Sequence, residues 1–202
     1  YTTDLRQRQS CIRERNVGFS DTAAFRLNAA VEDSDSYRDQ QFVKRHNFAP
    51  SLALKLAPPT DLLLQYTHAR DKRLTDFGIP ALNGRPVNVA AGTYYGSSNA
   101  AQDDTTTSAM QSFTATLNHR FNDDWSVRNV TRVYDYALDR YNTLPGTTDP
   151  GTMTVGRSRG FILRDEKGVF NQTDVTWRHQ LGGLKQEWLM GMELGQQKKQ
   201  KK

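Results

Sequence analysis

Only one cysteine, Cys11, occurs in the 202 residues of this chain. That excludes an intramolecular disulfide and any multi-cysteine metal site. No stretch approaches the roughly 18 consecutive apolar residues of a membrane-spanning helix. No apolar h-region follows Tyr1, so no signal peptide is visible; the expectation is a mature form or a fragment. Gly-rich phosphate loops and nucleophile-elbow motifs are missing as well. A concentrated charge of one sign is also lacking. The net charge is +5, but Lys198, Lys199, Lys201 and Lys202 supply four of the 27 basic residues. Setting those aside leaves 23 basic residues against 22 acidic ones. The basic residues are spread over the whole chain, whereas nucleic-acid binders gather them on one face. Nucleic acid is therefore not an expected partner.

What the chain does have is alternation on two scales. Seven segments alternate apolar and polar residues, and the joints between them are alternately long and short. The long joints cover residues 34–41, 71–106 and 139–156. The short ones are Ala57-Pro58-Pro59-Thr60, Asn122-Asp123-Asp124 and Gln180-Leu181-Gly182-Gly183. Antiparallel strands that cross a bacterial outer membrane have tight periplasmic turns and large outer loops. A soluble meander has no reason to gather its long loops at one end. The composition agrees: 36% of residues are hydrophobic and the mean hydropathy is -0.74. Only every second residue of a barrel strand faces lipid, so low hydropathy is compatible with crossing.

Within the segments, parity assigns faces. Phe25, Leu27, Ala29 and Val31 oppose Arg26, Asn28 and Glu32. Phe48, Pro50, Leu52, Leu54 and Leu56 oppose Asn47, Ser51 and Lys55, and Leu62, Leu64 and Tyr66 oppose Gln65 and Thr67. The clearest segment sets Phe113, Ala115, Leu117 and Phe121 against Ser112, Thr114, Thr116, Asn118 and Arg120. In the fifth, Arg128 and Arg132 mark the inward face, while Asn129 and Thr131 dilute the outward one. In the sixth, Val175 and Trp177 oppose Gln172, Asp174, Thr176 and Arg178; in the seventh, Trp188, Met190, Met192 and Leu194 oppose Lys185, Glu187 and Glu193. Pro50 has no ladder donor and predicts a bulge or an unpaired position.

Phe121, Trp125 and Trp177 flank short turns, and Tyr37, Tyr66, Tyr134, Tyr136 and Tyr141 lie toward long loops. Two aromatic belts are what two membrane interfaces select. Parity sends His46, His68, His119 and His179 outward near a rim, which argues against a metal or catalytic role. Asp123-Asp124 fits a tight turn, and Asp103-Asp104 is expected to be solvated in a polar loop. The expected fold is an all-β antiparallel transmembrane β-barrel, present here as an open sheet of about seven strands. The alternatives are a soluble or secreted β-sandwich binding module, which needs a sealed core, and an outer-membrane barrel enzyme. Parity of the histidines disfavours the enzyme.

The joint at residues 71–106 is long enough to be functional. It carries Asp76-Phe77-Gly78-Ile79-Pro80 and then Gly92-Thr93-Tyr94-Tyr95-Gly96. Other distinctive runs are Phe25-Arg26-Leu27-Asn28, the stretch from Glu32 to Asp39, Phe48-Ala49-Pro50-Ser51-Leu52, Leu117-Asn118-His119-Arg120-Phe121-Asn122, Trp125-Ser126-Val127-Arg128-Asn129 and Asn171-Gln172-Thr173-Asp174. In their order and spacing these runs resemble the TonB-dependent siderophore receptors of Gram-negative outer membranes, over roughly residues 20–196. Residues 1–19 and 197–202 depart from the pattern. The first lacks clear strand alternation, and the second ends in a lysine run where a long loop is expected.

The resemblance implies a partial receptor barrel over residues 1–202, without the plug domain and the energy-coupling box. Such barrels have about 22 strands. It implies a transporter rather than an enzyme, with a ferric-siderophore complex as cargo and no cofactor bound directly. The implied partners are the siderophore complex, outer-membrane lipid and the TonB complex, the last through parts of the receptor outside this chain. Beside that resemblance, the residues themselves offer ligand contacts. Tyr94 and Tyr95 in the loop present large surfaces with a polar tip, and Arg70 and Arg73, with Lys72 and Arg85, could attract anionic chelates. Tyr134 and Tyr136 share the inward face with Arg128 and Arg132, which makes them stronger candidates than Tyr141.

Overall fold

The computed structural model describes residues 11–201. Strands β1 (Cys11–Ser20), β2 (Ala23–Asp35), β3 (Phe42–Ala57) and β4 (Thr60–Leu74) come first. A loop follows with two short strands, β5 (Ala81–Leu82) and β6 (Arg85–Pro86), and one helical turn, α1 (Ala100–Asp103). Then come β7 (Thr105–Arg120), β8 (Trp125–Asp149), β9 (Thr154–Leu181) and β10 (Leu184–Lys201). Eight strands form a single antiparallel sheet in the order β1-β2-β3-β4-β7-β8-β9-β10, and β5 and β6 pair separately. Every neighbour in the large sheet is also the next long strand in sequence, so the connections are all simple hairpins.

The seven alternating segments are strands β2 to β4 and β7 to β10. β1 is an eighth, and it lies in the stretch that lacks alternation. Its backbone pairs with β2 from Cys11↔Val31 to Gly18↔Ala24. Backbone pairing does not require a side-chain pattern, so hydropathy gives no sign of it. The same holds at the other end, where β10 continues to Lys201 opposite Arg164 rather than opening a loop. Residues 1–10 lie outside the described part.

One expected loop is largely a hairpin. β8 and β9 remain paired up to Asp149↔Thr154, with an irregularity between Pro145 and Thr148. At 25 and 28 residues, these strands exceed the roughly 9–11 residues that cross a bilayer. Beyond that depth no lipid face enforces alternation, so the extension reads as a loop.

The short turns have local causes. Gly182 and Gly183 have φ of 54° and 86°, the left-handed pair that a two-residue hairpin needs. At residues 121–125, Asn122 Oδ1 accepts from the Asp124 and Trp125 N–H groups at 2.9 and 2.8 Å. Pro50 leaves a local gap: β3 pairs with β4 at Phe48↔His68 and Ser51↔Gln65, with no pair between them.

Register separates two faces across the sheet. Phe25, Leu52, Leu64, Ala115, Thr131, Asn171 and Leu194 form one continuous row. The row beside it carries Leu54, Leu62, Leu117 and Met192. Lys55, Asp61, Asn118, Arg128 and Asp174 form a row on the opposite face. Near the short turns, Trp125, Trp177 and Trp188 align across three strands, and the rings of Trp125 and Trp177 stack at 5.5 Å. The apolar face stays open: Trp188 is 56% exposed and Phe113 42%.

Among the described residues, few apolar side chains are buried, namely those of Leu74, Pro80 and Ala100. A two-layer sandwich would bury the inner faces of both sheets, so the soluble alternative is not favoured.

Asn129 and Thr131, the residues that dilute the apolar face, have partners on β9. Asn129 Nδ2 donates to Asn171 Oδ1 and Thr173 Oγ1, and Asn171 Nδ2 donates to Asn129 Oδ1 and Thr131 Oγ1. The two threonine hydroxyls donate back to Asn129 and Asn171 on their own strands. Every amide N–H and hydroxyl of the quartet is therefore used internally. That is the condition for placing polar groups against hydrocarbon.

Candidate functional site

The polar face of the sheet ends in a groove toward the long loops. Its volume is about 500 Å³, and Glu32, Arg45, Asn47, Asp71, Met110 and Tyr136 contribute to its lining. β2, β3 and β4 bring the charged residues side by side through the register Glu32↔Arg45↔Asp71. Arg45 Nε meets Glu32 at 2.6 Å, and the Arg73 guanidinium clamps both oxygens of Asp71. The groove thus combines neutralised ion pairs with a methionine and a tyrosine. Such a surface can hold a bulky polar ligand without a large net field.

Beside the groove lies a second cluster. Tyr134 and Phe170 have nearly parallel rings, 10° apart with centroids at 6.2 Å. The Arg132 guanidinium carbon is 5.8 Å from the Tyr134 ring centroid. Gln197 Nε2 donates to the Tyr134 hydroxyl oxygen at 2.7 Å.

The joint between β4 and β7 is folded around a buried carboxylate. Asp104 is 0% exposed. Its oxygens accept from the Tyr94 hydroxyl at 2.7 Å, the Ser97 N–H at 2.6 Å and the Thr143 hydroxyl at 2.7 Å. The expectation of a solvated Asp103-Asp104 pair fails at Asp104, because the loop folds back and supplies three donors to it. Burial pushes the Asp104 carboxyl up. The Ser97 N–H, the Thr143 and Tyr94 hydroxyls and the charge of Arg159 outweigh that and hold it below its ordinary value. Burial, then the hydrogen bond to Asp104 and that carboxylate's charge, push the Tyr94 phenol well above the usual range.

Further ties reach both flanking hairpins. Arg157 donates to the Gly96 carbonyl at 2.6 Å, and Arg159 to the Asp103 carbonyl at 3.0 Å. Arg38 pairs with Asp76, the Asp39 N–H donates to the Gly92 carbonyl, and the Ala100 N–H donates to Gln40.

The candidate contact residues fall into three places. Tyr134 and Tyr136 are two residues apart on the polar face, opposite Ser112 and Met110 of β7. Tyr94 and Tyr95 are half-buried in the loop, with the Tyr94 hydroxyl committed to Asp104. Arg70 pairs with His46 and Ala109, in the register of the Phe113 face, while Arg73 lies on the groove side. His46 and His68 stack at 5.6 Å on the Phe113 face. Among the described residues, no group of three metal-ligating side chains occurs. Parity reading did not single out Arg45, Met110, Phe170 or Gln197. Phe170 has the same parity as Gln172 and Asp174, so its side was readable; its neighbour Tyr134, on another strand, was not.

A one-layer antiparallel sheet, open on an apolar face and polar on the other, with tight turns at one end, defines a stretch of transmembrane β-barrel wall. The comparisons narrow the class. No family model matches the chain. It is 30% identical over 203 residues to the catecholate siderophore receptor Fiu of Escherichia coli K12, covering 88% of this chain and 26% of that one. It is 27% identical over 169 residues to the metal-pseudopaline receptor CntO of Pseudomonas aeruginosa, covering 84% and 23%. The open form of the Fiu crystal structure superposes with a TM-score of 0.85 at 24% identity, over 95% of this chain and 32% of Fiu. The siderophore receptor PiuA of Acinetobacter baumannii gives a TM-score of 0.85 over 96% of this chain and 29% of its own. The ferripyoverdine receptor of the Pseudomonas aeruginosa outer membrane gives 0.79 at 15% identity, over 93% and 25%. By sequence and fold, the chain is similar to a stretch of the barrel wall of these outer-membrane receptors. It spans about a quarter of the length of the curated relatives it matches.

Proposed function

We propose that this chain forms part of the wall of a receptor that imports ferric siderophores across the outer membrane. The observation that carries the reading is the juxtaposition on the inward face. Tyr136 lines, and Tyr134 stands beside, a groove of about 500 Å³ whose lining comes mostly from the inward face. The names of the relatives, a catecholate siderophore receptor and a metal-pseudopaline receptor, support a metal chelate as the cargo. The protein is then a transporter rather than an enzyme and needs no resident cofactor. Outer-membrane lipid covers the Phe113 face. The TonB complex energises release through parts of the receptor outside this stretch. Arg73, Tyr94 and Tyr95 contribute near the loops, and Arg70 borders the groove from the Phe113-side register.

The test is ferric-siderophore binding and TonB-dependent uptake by a full-length receptor carrying this segment. Tyr134→Ala and Tyr136→Ala, each made alone, should weaken binding while surface expression is unchanged. Unaltered affinity in both would remove this strand end from the site. Failure of the unaltered receptor to bind any ferric siderophore would overturn the reading.

A further inference from the structure

The cluster around Phe170 combines three features that no single strand displays. The first is a pair of glycines beneath the rings. A Cβ at Gly168 would overlap the Tyr134 ring and lie 3.1 Å from Phe170 Cε2; one at Gly195 would lie 2.5 Å from Phe170 Cδ1. The rings therefore occupy space that any other residue would fill, and they run as one aromatic surface from β8 across β9 to β10. The second is orientation. Tyr134 shares its register row with Ser112 and Gly168, and Arg132 pairs with Thr114 and Phe170, all on the inward face. The third is an available cation. Among the described residues no carboxylate pairs with Arg132, and its one described interaction is with the Tyr134 ring. Arg45, Arg73 and Arg128 on the same face all have carboxylate partners.

We propose that Arg132, Tyr134 and Phe170 form a subsite for a planar aromatic group bearing an oxyanion, such as a phenolate or an aromatic carboxylate. The ring faces supply a flat apolar contact that favours offset stacking. The Arg132 guanidinium supplies a charge-assisted donor beside it, which a neutral or non-aromatic chelating arm cannot use as fully. Gln197, bonded to the Tyr134 oxygen, fixes that ring and acts as a positioning residue. This subsite rests on the receptor reading above and specifies which chelate chemistry the wall selects.

The test uses a purified full-length receptor carrying this segment. The probes are the ferric complex of 2,3-dihydroxybenzoate, aromatic and anionic, and a ferric trihydroxamate, which has no aromatic ring. Two variants are compared with the unaltered protein. Phe170→Leu keeps an apolar cover over Gly195 but removes the ring face. Arg132→Gln changes an exposed side chain and should leave assembly intact, as checked by heat-modifiable gel migration. Each variant should bind the dihydroxybenzoate complex roughly tenfold more weakly. Arg132→Gln should also flatten the dependence of that affinity on salt, whereas Phe170→Leu should preserve it. Unchanged affinity in folded Arg132→Gln overturns the subsite, whatever happens to Phe170→Leu. Binding of the trihydroxamate but not of the dihydroxybenzoate complex overturns the subsite and leaves the receptor reading standing. Binding of neither probe, nor of any other ferric siderophore, overturns both.

Discussion

The Thr143 hydroxyl donates to Asp104 Oδ1 across 2.7 Å, joining the β8–β9 hairpin to the long loop between β4 and β7. Tyr94 and Ser97 complete the cage from inside the loop. Asp104→Ala would leave three donors facing a cavity. Unsatisfied buried donors cost about 1–3 kcal/mol each before relaxation, so the loop should open locally while the sheet stays paired. Hydrogen exchange should show faster exchange over residues 92–104 and none of comparable size over residues 112–120. Equal loss of protection in both regions would contradict a local clasp.

The clasp also has a pH signature. The Asp104 carboxyl is held below its ordinary value when folded. The stabilisation it provides is therefore fully present above the unfolded carboxylate pKa, about 3.9. It is lost only as pH falls through the still lower folded value. Loop protection should be flat between about pH 5 and pH 7 and should fall below about pH 4. A loss of protection centred near pH 6 would point to a different group.

The Asn129–Asn171–Thr131–Thr173 quartet should behave as a unit. Asn129→Leu leaves one Asn171 N–H and the Thr131 hydroxyl without an acceptor against lipid, at about 1–3 kcal/mol. Replacing both asparagines by leucine and both threonines by valine removes every polar group at once and should recover most of that loss. Thermal unfolding in bilayers or detergent would read this. A quadruple variant less stable than the single one would show that the quartet has a polar partner outside the sheet.

Made alone, the described sheet should not survive as a soluble monomer. β1 and β10 are its edges, and each leaves a row of unpaired backbone groups that templates association. Its apolar face, with Met192 and Leu194 each 60% exposed, adds to the tendency. Sedimentation of the refolded chain without lipid or detergent should show aggregates; a sharp monomeric boundary would contradict the open-sheet description.

Much of this fold was legible because lipid enforces a period of two. At residues 112–121, strict alternation fixed both the strand and its faces, and the register agrees at every position from Phe113 to Arg120. Where lipid no longer acts, the signal disappears. The paired stretches within residues 139–149 and 154–156 have the composition of a loop, because no lipid face selects their side chains. β1 was missed because its residues do not alternate, although its backbone pairs with β2. The site was less legible than the sheet. Parity placed Tyr134 and Tyr136 on the inward face, but the stacking of Phe170 on Tyr134 depends on a register 36 positions apart, which no local pattern encodes. Asp104 shows the opposite limit: its polar, turn-rich surroundings read as solvent-exposed until the loop's fold supplied its donors.

Two neighbouring residues settle the faces of the sheet. Leu117 lies in the row with Leu62 and Asn129, and Thr116 in the row with Leu63 and Val130. In a full-length receptor carrying this segment, Leu117→Arg should cost about 2–4 kcal/mol if near the bilayer midplane, while Thr116→Arg, facing inward, should be much milder.

The most direct measurement places a spin label at each position from Ser112 to Asn118 in such a receptor, with Cys11 replaced by serine, reconstituted in bilayers. Accessibility to oxygen, which dissolves in lipid, and to a water-soluble nickel chelate should alternate with a period of two. Phe113, Ala115 and Leu117 should favour oxygen, and Ser112, Thr114, Thr116 and Asn118 should not. Uniform accessibility along the run, or the opposite phase, would contradict a membrane-crossing wall with the Phe113 face on lipid.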